Sequence, residues 1–365
     1  QAAGGSGIGV IEAAVTRAGP TPGGWSKYPG PKGSPDLRAA IADWATARFG
    51  APEGMVDPER HVVACSGTRA ALELACRAVL ARAEIDQPAV LFPNPFYHAY
   101  EAAAAFCGAE PIPAPCDADG FPDLDAVPDG LWRRVALIYF TTPGNPSGAT
   151  ASTMRIARAI DTARARGVPI LFDECYSEIW RGAAPAGGLS ALAAAPRGDD
   201  PFGGVAIVNS LSKRSGAPGL RSGFVLGWPD LIADLAVMVA RIGAPIPGPI
   251  QAASAALWRD EAHVAAFRAT YAETMAAAGR ALAPLGWTPP PAGFFCWIPV
   301  TDGEAAARAL WVAHGLRTMP GRYMAKGDQD NPGAARLRVA LVEPPDRMRA
   351  AIERLGEAAK GGFGG

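Results

Sequence analysis

Between residues 61 and 226 the chain alternates apolar runs of strand length with longer helical patterns. The runs are 61–65, 89–92, 135–140, 169–172, 205–209 and 223–226. Helical patterns such as 69–82, 151–166 and 229–242 lie between or after them. Strands that are apolar throughout, rather than at every second residue, belong inside a sheet covered on both faces. Helical crossovers make such neighbouring strands parallel. The expected fold class is therefore α/β, with a mostly parallel sheet flanked by helices.

The pattern changes after Ile242. Gly243 to Pro249 holds two glycines and three prolines and reads as a hinge, and 250–285 then reads as one long alanine-rich helix. A strand at 294–299, a helix at 304–314, a strand at 337–341 and a helix at 346–359 describe a smaller α+β domain. The stretch 7–17 is helical and is expected to pack on that domain. The expected division is a large domain at 28–245 and a discontinuous small domain made of 1–27 and 246–365. A chain of 365 residues is long enough for both cores.

Hydrophobic residues make up 49% of the chain and charged residues 19%, the composition of an ordinary globular protein. A formal net charge of -1 provides no field for nucleic acid or an anionic membrane, so neither is expected as a partner. The apolar runs are too short and too broken to cross a bilayer. No signal peptide is visible, and the chain starts at Gln1. Cys65, Cys76, Cys107, Cys116, Cys175 and Cys296 are scattered, with no CxxC pair and no histidine cluster beside them. Neither structural zinc nor a disulfide framework is expected, and free thiols suit a reducing cytoplasm.

The chemistry concentrates where strands end. After the run 205–209 come Ser210-Leu211-Ser212-Lys213-Arg214-Ser215, then Pro218-Gly219-Leu220-Arg221. Small hydroxyl residues hold a phosphate, Arg221 neutralises it, and Lys213 forms an imine with an aldehyde. That combination suits pyridoxal 5'-phosphate (PLP), which needs a Schiff-base lysine and a phosphate anchor. The plainer alternative is a solvated basic loop.

The other strand ends add to this reading. Ser66-Gly67-Thr68 follows the first run and opens a helix, where backbone N–H groups and the helix dipole favour phosphate, although an ordinary N-cap uses the same residues. Asn145 sits in Thr142-Pro143-Gly144-Asn145-Pro146, a rigid turn that presents its amide from the sheet edge. Asp173 ends Ile170-Leu171-Phe172-Asp173 and needs a partner there; a pyridinium N–H is one, and a structural salt bridge is another. Tyr176 is placed to donate to the ring oxygen beside Asn145, and Tyr97 in Pro95-Phe96-Tyr97-His98 offers a stacking face. In Arg336-Leu337-Arg338-Val339-Ala340 both arginines share one strand face, and a guanidinium there matches a substrate carboxylate in a bidentate fork. His98 reads as a helix-start residue. His61, His263 and His314 lie outside every cluster.

In this order the residues resemble the class I/II aminotransferases of the aspartate aminotransferase superfamily, PLP enzymes of fold type I. The match runs from Tyr28-Pro29-Gly30 to the Arg338 strand. It implies a seven-stranded-type sheet in the large domain and a catalytic set of Lys213, Asp173 and Tyr176. Cofactor contacts are expected from Ser66, Gly67, Thr68, Tyr97, Asn145, Ser210, Ser212 and Arg221. Arg338, better than Arg336, matches the α-carboxylate receptor, with Asn145 beside it. Tyr28 resembles the tyrosine that reaches the phosphate of the neighbouring subunit, which implies a homodimer.

Within the superfamily, Asn94-Pro95-Phe96-Tyr97, Asp173-Glu174-Cys175-Tyr176, Ser212-Lys213-Arg214-Ser215, Asp260-Glu261-Ala262-His263-Val264 and Met319-Pro320-Gly321-Arg322 resemble the N-succinyldiaminopimelate aminotransferases. The implied reaction exchanges an amino group between glutamate and N-succinyl-2-amino-6-oxopimelate in lysine biosynthesis. Lys27, Arg214, Arg322 and Lys326 are the candidates for the succinyl and distal carboxylate groups. The alternatives are an aspartate or aromatic aminotransferase, a PLP-dependent C–S lyase, and the aminotransferase-like sensor domain of a transcription regulator.

Overall fold

The computed structural model describes residues 7–19, 24–195, 200–242, 244–328 and 330–364. Gly243 of the expected hinge lies outside the described residues. Seven strands form the large sheet: β1 (Val62–Cys65), β2 (Ala89–Phe92), β3 (Glu110–Pro113), β4 (Val135–Thr141), β5 (Ile170–Asp173), β6 (Val205–Ser210) and β7 (Gly223–Leu226). Their order is β1-β7-β6-β5-β4-β2-β3. β7 is antiparallel to both neighbours, and the remaining pairings are parallel. The mostly parallel α/β architecture read from the apolar runs is the one observed. The edge strand β3 has no apolar run to announce it; its sequence is Glu-Pro-Ile-Pro, and prolines are tolerated at an edge because no ladder hydrogen bond is lost.

Successive residues of each strand face opposite sides, and both sides are covered. Leu91, Ile138, Phe140, Ile170, Phe172 and Ile207 pack with residues of the helices Pro35–Phe49, Thr153–Ala165 and Gly248–Arg259. Val90, Phe92, Leu137, Tyr139, Leu171 and Val208 pack on the other side, with the helices Thr68–Arg82, His98–Phe106 and Pro229–Ile242. This two-sided burial explains why the strands read as unbroken apolar runs.

The sheet fixes where chemistry happens. β1, β2, β4, β5 and β6 all end at one edge, and the antiparallel β7 begins there. Loops from six strands therefore meet along one rim, the position where ligands bind in open α/β sheets.

Three antiparallel strands, β8 (Phe295–Pro299), β9 (Met319–Pro320) and β10 (Arg336–Ala340), form a second sheet in the order β8-β10-β9. A separate core holds Met275, Ile298, Leu310, Leu337, Ile352 and Leu355, contributed by this sheet and by the helices Ala262–Leu282, Gly303–His314 and Pro345–Lys360.

The single helix expected over 250–285 is instead two, Gly248–Arg259 and Ala262–Leu282, followed by a short 3-10 turn. Asp260 is extended (φ -96, ψ 111), and its carboxylate accepts the N–H of Ala262 at 2.8 Å. A side chain that captures a nearby backbone N–H competes with the helix and stops it. The first of the two helices returns to the large sheet, where Leu257 and Trp258 join Leu37 and Trp44 in the core. The helix Gly7–Ala18 packs on that same helix, Gly248–Arg259.

Candidate active site

At the rim the loops enclose a cavity of about 660 Å³. Thr68 comes from the end of β1, Tyr97 from β2, Asn145 from β4, Asp173 and Tyr176 from β5, Ser210, Ser212 and Lys213 from β6, and Arg221 from just before β7. Arg338 enters from β10 of the second sheet. The sequence singles out each of these residues, and one cavity brings all of them together.

Asp173 is a buried residue of its lining. One carboxylate oxygen accepts the Tyr100 hydroxyl at 2.8 Å, and the other accepts the backbone N–H of Cys175 at 3.2 Å. Burial pushes its carboxyl up, opposed by hydrogen bonds from Cys175 and Tyr100 and by the charge of Lys213. A buried carboxylate with donors on one side and a cavity on the other is a receptor for a cationic N–H.

Lys213 sits on the short turn Leu211–Arg214, its ammonium 5.1 Å from the centre of the Phe294 ring. Burial lowers its pKa, helped by the charges of Arg338 and Arg69 and opposed by Cys175 and Asp173. The amine therefore loses its proton more readily than an exposed lysine, which both a nucleophile and a proton carrier need.

Arg338 lies with its guanidinium carbon 3.6 Å from the centre of the Phe295 ring, and its Nε is buried with no hydrogen-bond partner. Tyr176 meets Phe294 and Phe295 edge-on, at 5.5 and 5.1 Å between ring centres. This pair of phenylalanines thus underlies Lys213, Arg338 and Tyr176 together. Asn145 Oδ1 and Ser210 Oγ are also buried without partners. Orphaned polar atoms at one cavity wall imply a polar ligand, because leaving each unpaired carries a desolvation penalty.

The remaining expected residues stand elsewhere. The Ser66 hydroxyl turns away to the carbonyl of Ala244 at 2.9 Å, and the Ser66 carbonyl accepts Arg221 Nη2 at 3.1 Å. Gly67 has φ +85, and a Cβ there would stand 2.5 Å from Arg221 Nη2, so glycine lets the arginine lie against the helix entrance. Lys27 and Tyr28 are exposed, Tyr28 completely. Arg322 pairs with Glu304 at 2.8 Å, and Lys326 with Glu101 at 2.8 Å. Lys326 and Arg336 line an adjoining cavity that shares Asn145 with the first. Arg214 is completely buried and binds backbone carbonyls behind the Lys213 turn, so it is no receptor for a distal carboxylate.

Sequence reasoning misses several participants. Arg69 lines the cavity and donates to the Tyr97 hydroxyl at 3.0 and 3.1 Å, though nothing in its spacing distinguishes it from a solvated arginine. His98 also lines the cavity, where burial and the charges of Arg69 and Arg338 lower its pKa and favour neutral imidazole. Tyr100 reads in the sequence as one more core aromatic, with no sign of its bond to Asp173. Among the described residues there is no group of three or more potential metal ligands and no helix long and apolar enough to cross a membrane.

Fold and site together point to an α/β enzyme whose rim cavity gathers a half-buried lysine, a buried carboxylate and several arginines. The chain belongs to the class I and II aminotransferases, whose family model matches residues 4–355. It is 32% identical to an LL-diaminopimelate aminotransferase of Desulforudis audaxviator (strain MP104C) over 90% of this chain and 81% of that one. The crystal structure of an aminotransferase from Neisseria meningitidis Z2491 superposes with a TM-score of 0.88 at 34% identity, covering 95% of this chain and 88% of the other. A structure described as a probable N-succinyldiaminopimelate aminotransferase from Thermus thermophilus gives 0.76 at 25% identity, covering 97% and 100%. The protein is thus a transaminase acting on amino and oxo acids, and its cofactor is PLP. The cavity suits that group: Asn145 and Ser210 have polar atoms waiting for partners, and Asp173 needs a cationic one.

Proposed function

We propose that the chain transfers an amino group between glutamate and N-succinyl-2-amino-6-oxopimelate, whose amino form is N-succinyl-LL-2,6-diaminopimelate. The observation that carries amino transfer is the presence of Lys213, Asp173 and Arg338 in one cavity. The diaminopimelate part rests on the similarity to the Desulforudis and Thermus proteins and on segments such as Asp173-Glu174-Cys175-Tyr176 and Ser212-Lys213-Arg214-Ser215. Unsubstituted LL-diaminopimelate is the second reading, favoured by the Desulforudis relative.

Bound PLP supplies an aldehyde for the substrate amine and a ring that takes up the electron pair left when the Cα proton departs. Thr68, Ser210, Ser212, Arg221 and the Gly67 backbone would hold its phosphate, and Asp173 would favour a protonated ring nitrogen. Tyr97 would offer the ring an aromatic face, and Asn145 and Tyr176 would supply donors for its oxygen. Arg338, with Asn145 beside it, binds the α-carboxylate in a bidentate fork and fixes the direction of the Cα–H bond. Lys213, with its pKa lowered by burial, would take that proton on its Nζ and give it up again from the same position as the amino group changes carrier. The working form is a cytoplasmic homodimer in which the partner subunit's Tyr28 reaches the phosphate; full exposure of Tyr28 in the single chain supports this.

The test is a single-turnover panel on the PLP-loaded protein, read by visible absorbance. Conversion fastest with N-succinyl-LL-2,6-diaminopimelate supports the reading. Faster conversion with LL-diaminopimelate replaces it by the second, and preference for aspartate or phenylalanine removes both.

A further inference from the structure

The turn that carries Lys213 is four residues long, Leu211–Arg214. A single helical turn has no stability of its own. What holds it lies behind it, away from the cavity. Arg214, next to Lys213, is completely buried, with its guanidinium carbon 5.4 Å from the Trp44 ring and 4.9 Å from the Trp258 ring. It donates to the carbonyls of Leu257 at 2.6 Å and Trp258 at 3.3 Å, and it pairs with Glu261. Those carbonyls lie at the end of the helix Gly248–Arg259, the negative end of its dipole.

One residue further, the Ser215 hydroxyl lies 2.8 Å from His263 Nε2. His263 stands in the first turn of the helix Ala262–Leu282, and its Nδ1 is 3.3 Å from Asp260 Oδ2. The interruption at Asp260-Glu261 therefore receives both residues that follow Lys213. It supplies helix-end carbonyls and a carboxylate to one, and an imidazole to the other.

We propose that this break between two helices is a socket that sets the position of Lys213, with Arg214 and His263 as its positioning residues. The proposal rests on Lys213 being the residue that binds the cofactor. A buried guanidinium cannot leave its acceptors without a large desolvation penalty, so the turn is fixed wherever the two carbonyls and Glu261 stand. A lysine at Arg214 keeps the charge but loses the planar fork and the ring contacts. The helix interruption then has a use that an unbroken helix could not serve, because an unbroken helix would bond those carbonyls internally.

The experiment mixes the cofactor-free full chain with PLP. It follows condensation of the Lys213 amine with the aldehyde, which releases one water, by visible absorbance as a function of pH. Thermal unfolding is recorded for each variant. Arg214→Met, Arg214→Lys and His263→Asn should each slow condensation roughly tenfold or more, since small misplacements of a reacting group carry penalties of that order. They should also shift its pH midpoint. His263→Gln, whose amide reaches the place of Nε2, should restore the parent rate. Parent rates and midpoints in folded Arg214→Lys and His263→Asn would overturn the socket, as would equal slowing in His263→Gln. If Arg214→Met does not fold, the other three variants decide. Condensation persisting in Lys213→Ala would instead overturn the assignment of Lys213.

Discussion

Arg338→Lys is the substitution that most directly tests how the cavity reads its substrate. The guanidinium carbon lies 3.6 Å from the Phe295 ring centre, and the buried Nε has no partner, so the group is packed against the ring with a donor left to satisfy. A carboxylate docking there gains two charge-assisted hydrogen bonds. Lysine keeps one of them, without the planar fork. The loss is one such bond, about 1.5–3 kcal/mol, which corresponds to roughly 10- to 150-fold in kcat/KM. The assay measures the half-reaction with glutamate in parallel with a simple primary amine that lacks a carboxylate. The glutamate reaction should slow by the stated factor while the amine reaction keeps its rate. Equal slowing of both would mean that Arg338 supports the fold of the site and not the carboxylate. An unchanged glutamate rate would remove Arg338 as receptor and direct attention to Arg336 on the same strand face.

Three further outcomes follow from the geometry. Tyr100→Phe removes the 2.8 Å hydrogen bond that favours ionised Asp173, so the carboxyl pKa should rise further, and the acid limb of kcat should move up by about one unit or more; an unmoved acid limb would show that Asp173 does not govern it. Gly67→Ala forces a side chain onto a φ of +85 and to 2.5 Å from Arg221 Nη2, so the dissociation constant for PLP should rise roughly tenfold while the protein stays folded; equal affinity, measured by fluorescence titration, would place the phosphate elsewhere. Glu174 is buried, with one carboxylate oxygen lacking a partner, and burial pushes its pKa up to about 8. Its folded pKa lies above the unfolded value, so its contribution to stability is complete below the unfolded pKa and is lost as pH rises through 8. Glu174→Gln should erase that slope, on the order of a few kcal/mol, and melt above the parent at alkaline pH; parallel melting profiles would refute this.

What the sequence discloses here depends on how far a residue's reason lies from it along the chain. Lys213, Asp173, Asn145 and Arg338 each carry their signal within a few neighbours: an apolar run, its end, and a residue chemically odd for that place. The carboxylate of Asp173 is legible because it follows Ile170-Leu171-Phe172, whereas its partner Tyr100 lies 73 positions away and looks like any core aromatic. Arg214 is the opposite case. Beside Lys213 it reads as one more cation for a distal carboxylate, but its acceptors Leu257 and Trp258 lie 43 and 44 positions on, in a helix whose ending is itself illegible. The break at Asp260-Glu261 is set by one side chain capturing a backbone N–H inside an alanine-rich stretch, and periodicity registers no change there. The edge strand β3 escapes for a related reason, since its pairing with β2 comes from backbone geometry and not from apolar side chains.

The distribution of charge connects the cavity to its ligands more strictly than any single contact. Arg69, Lys213, Arg221 and Arg338 line it, Asp173 is the one carboxylate among its lining residues, and His98 is driven toward the neutral form. The chain as a whole carries -1, so an excess of three positive charges at this rim is balanced by negative charge distributed over the rest of the surface. A concave, partly buried site focuses that field and selects anions. One amino acid carboxylate cannot balance three charges. A phosphate carrying close to two negative charges offsets more of that excess, and a carboxylate bound beside it offsets more again. An anionic phosphate and a carboxylate together therefore suit this cavity better than either does alone. A cofactor phosphate held by these residues would bring the larger share of negative charge and reduce the repulsion between Arg221, Lys213 and Arg338. On the function proposed here, Arg338, whose buried Nε lacks a partner, is the cation left to receive the substrate carboxylate.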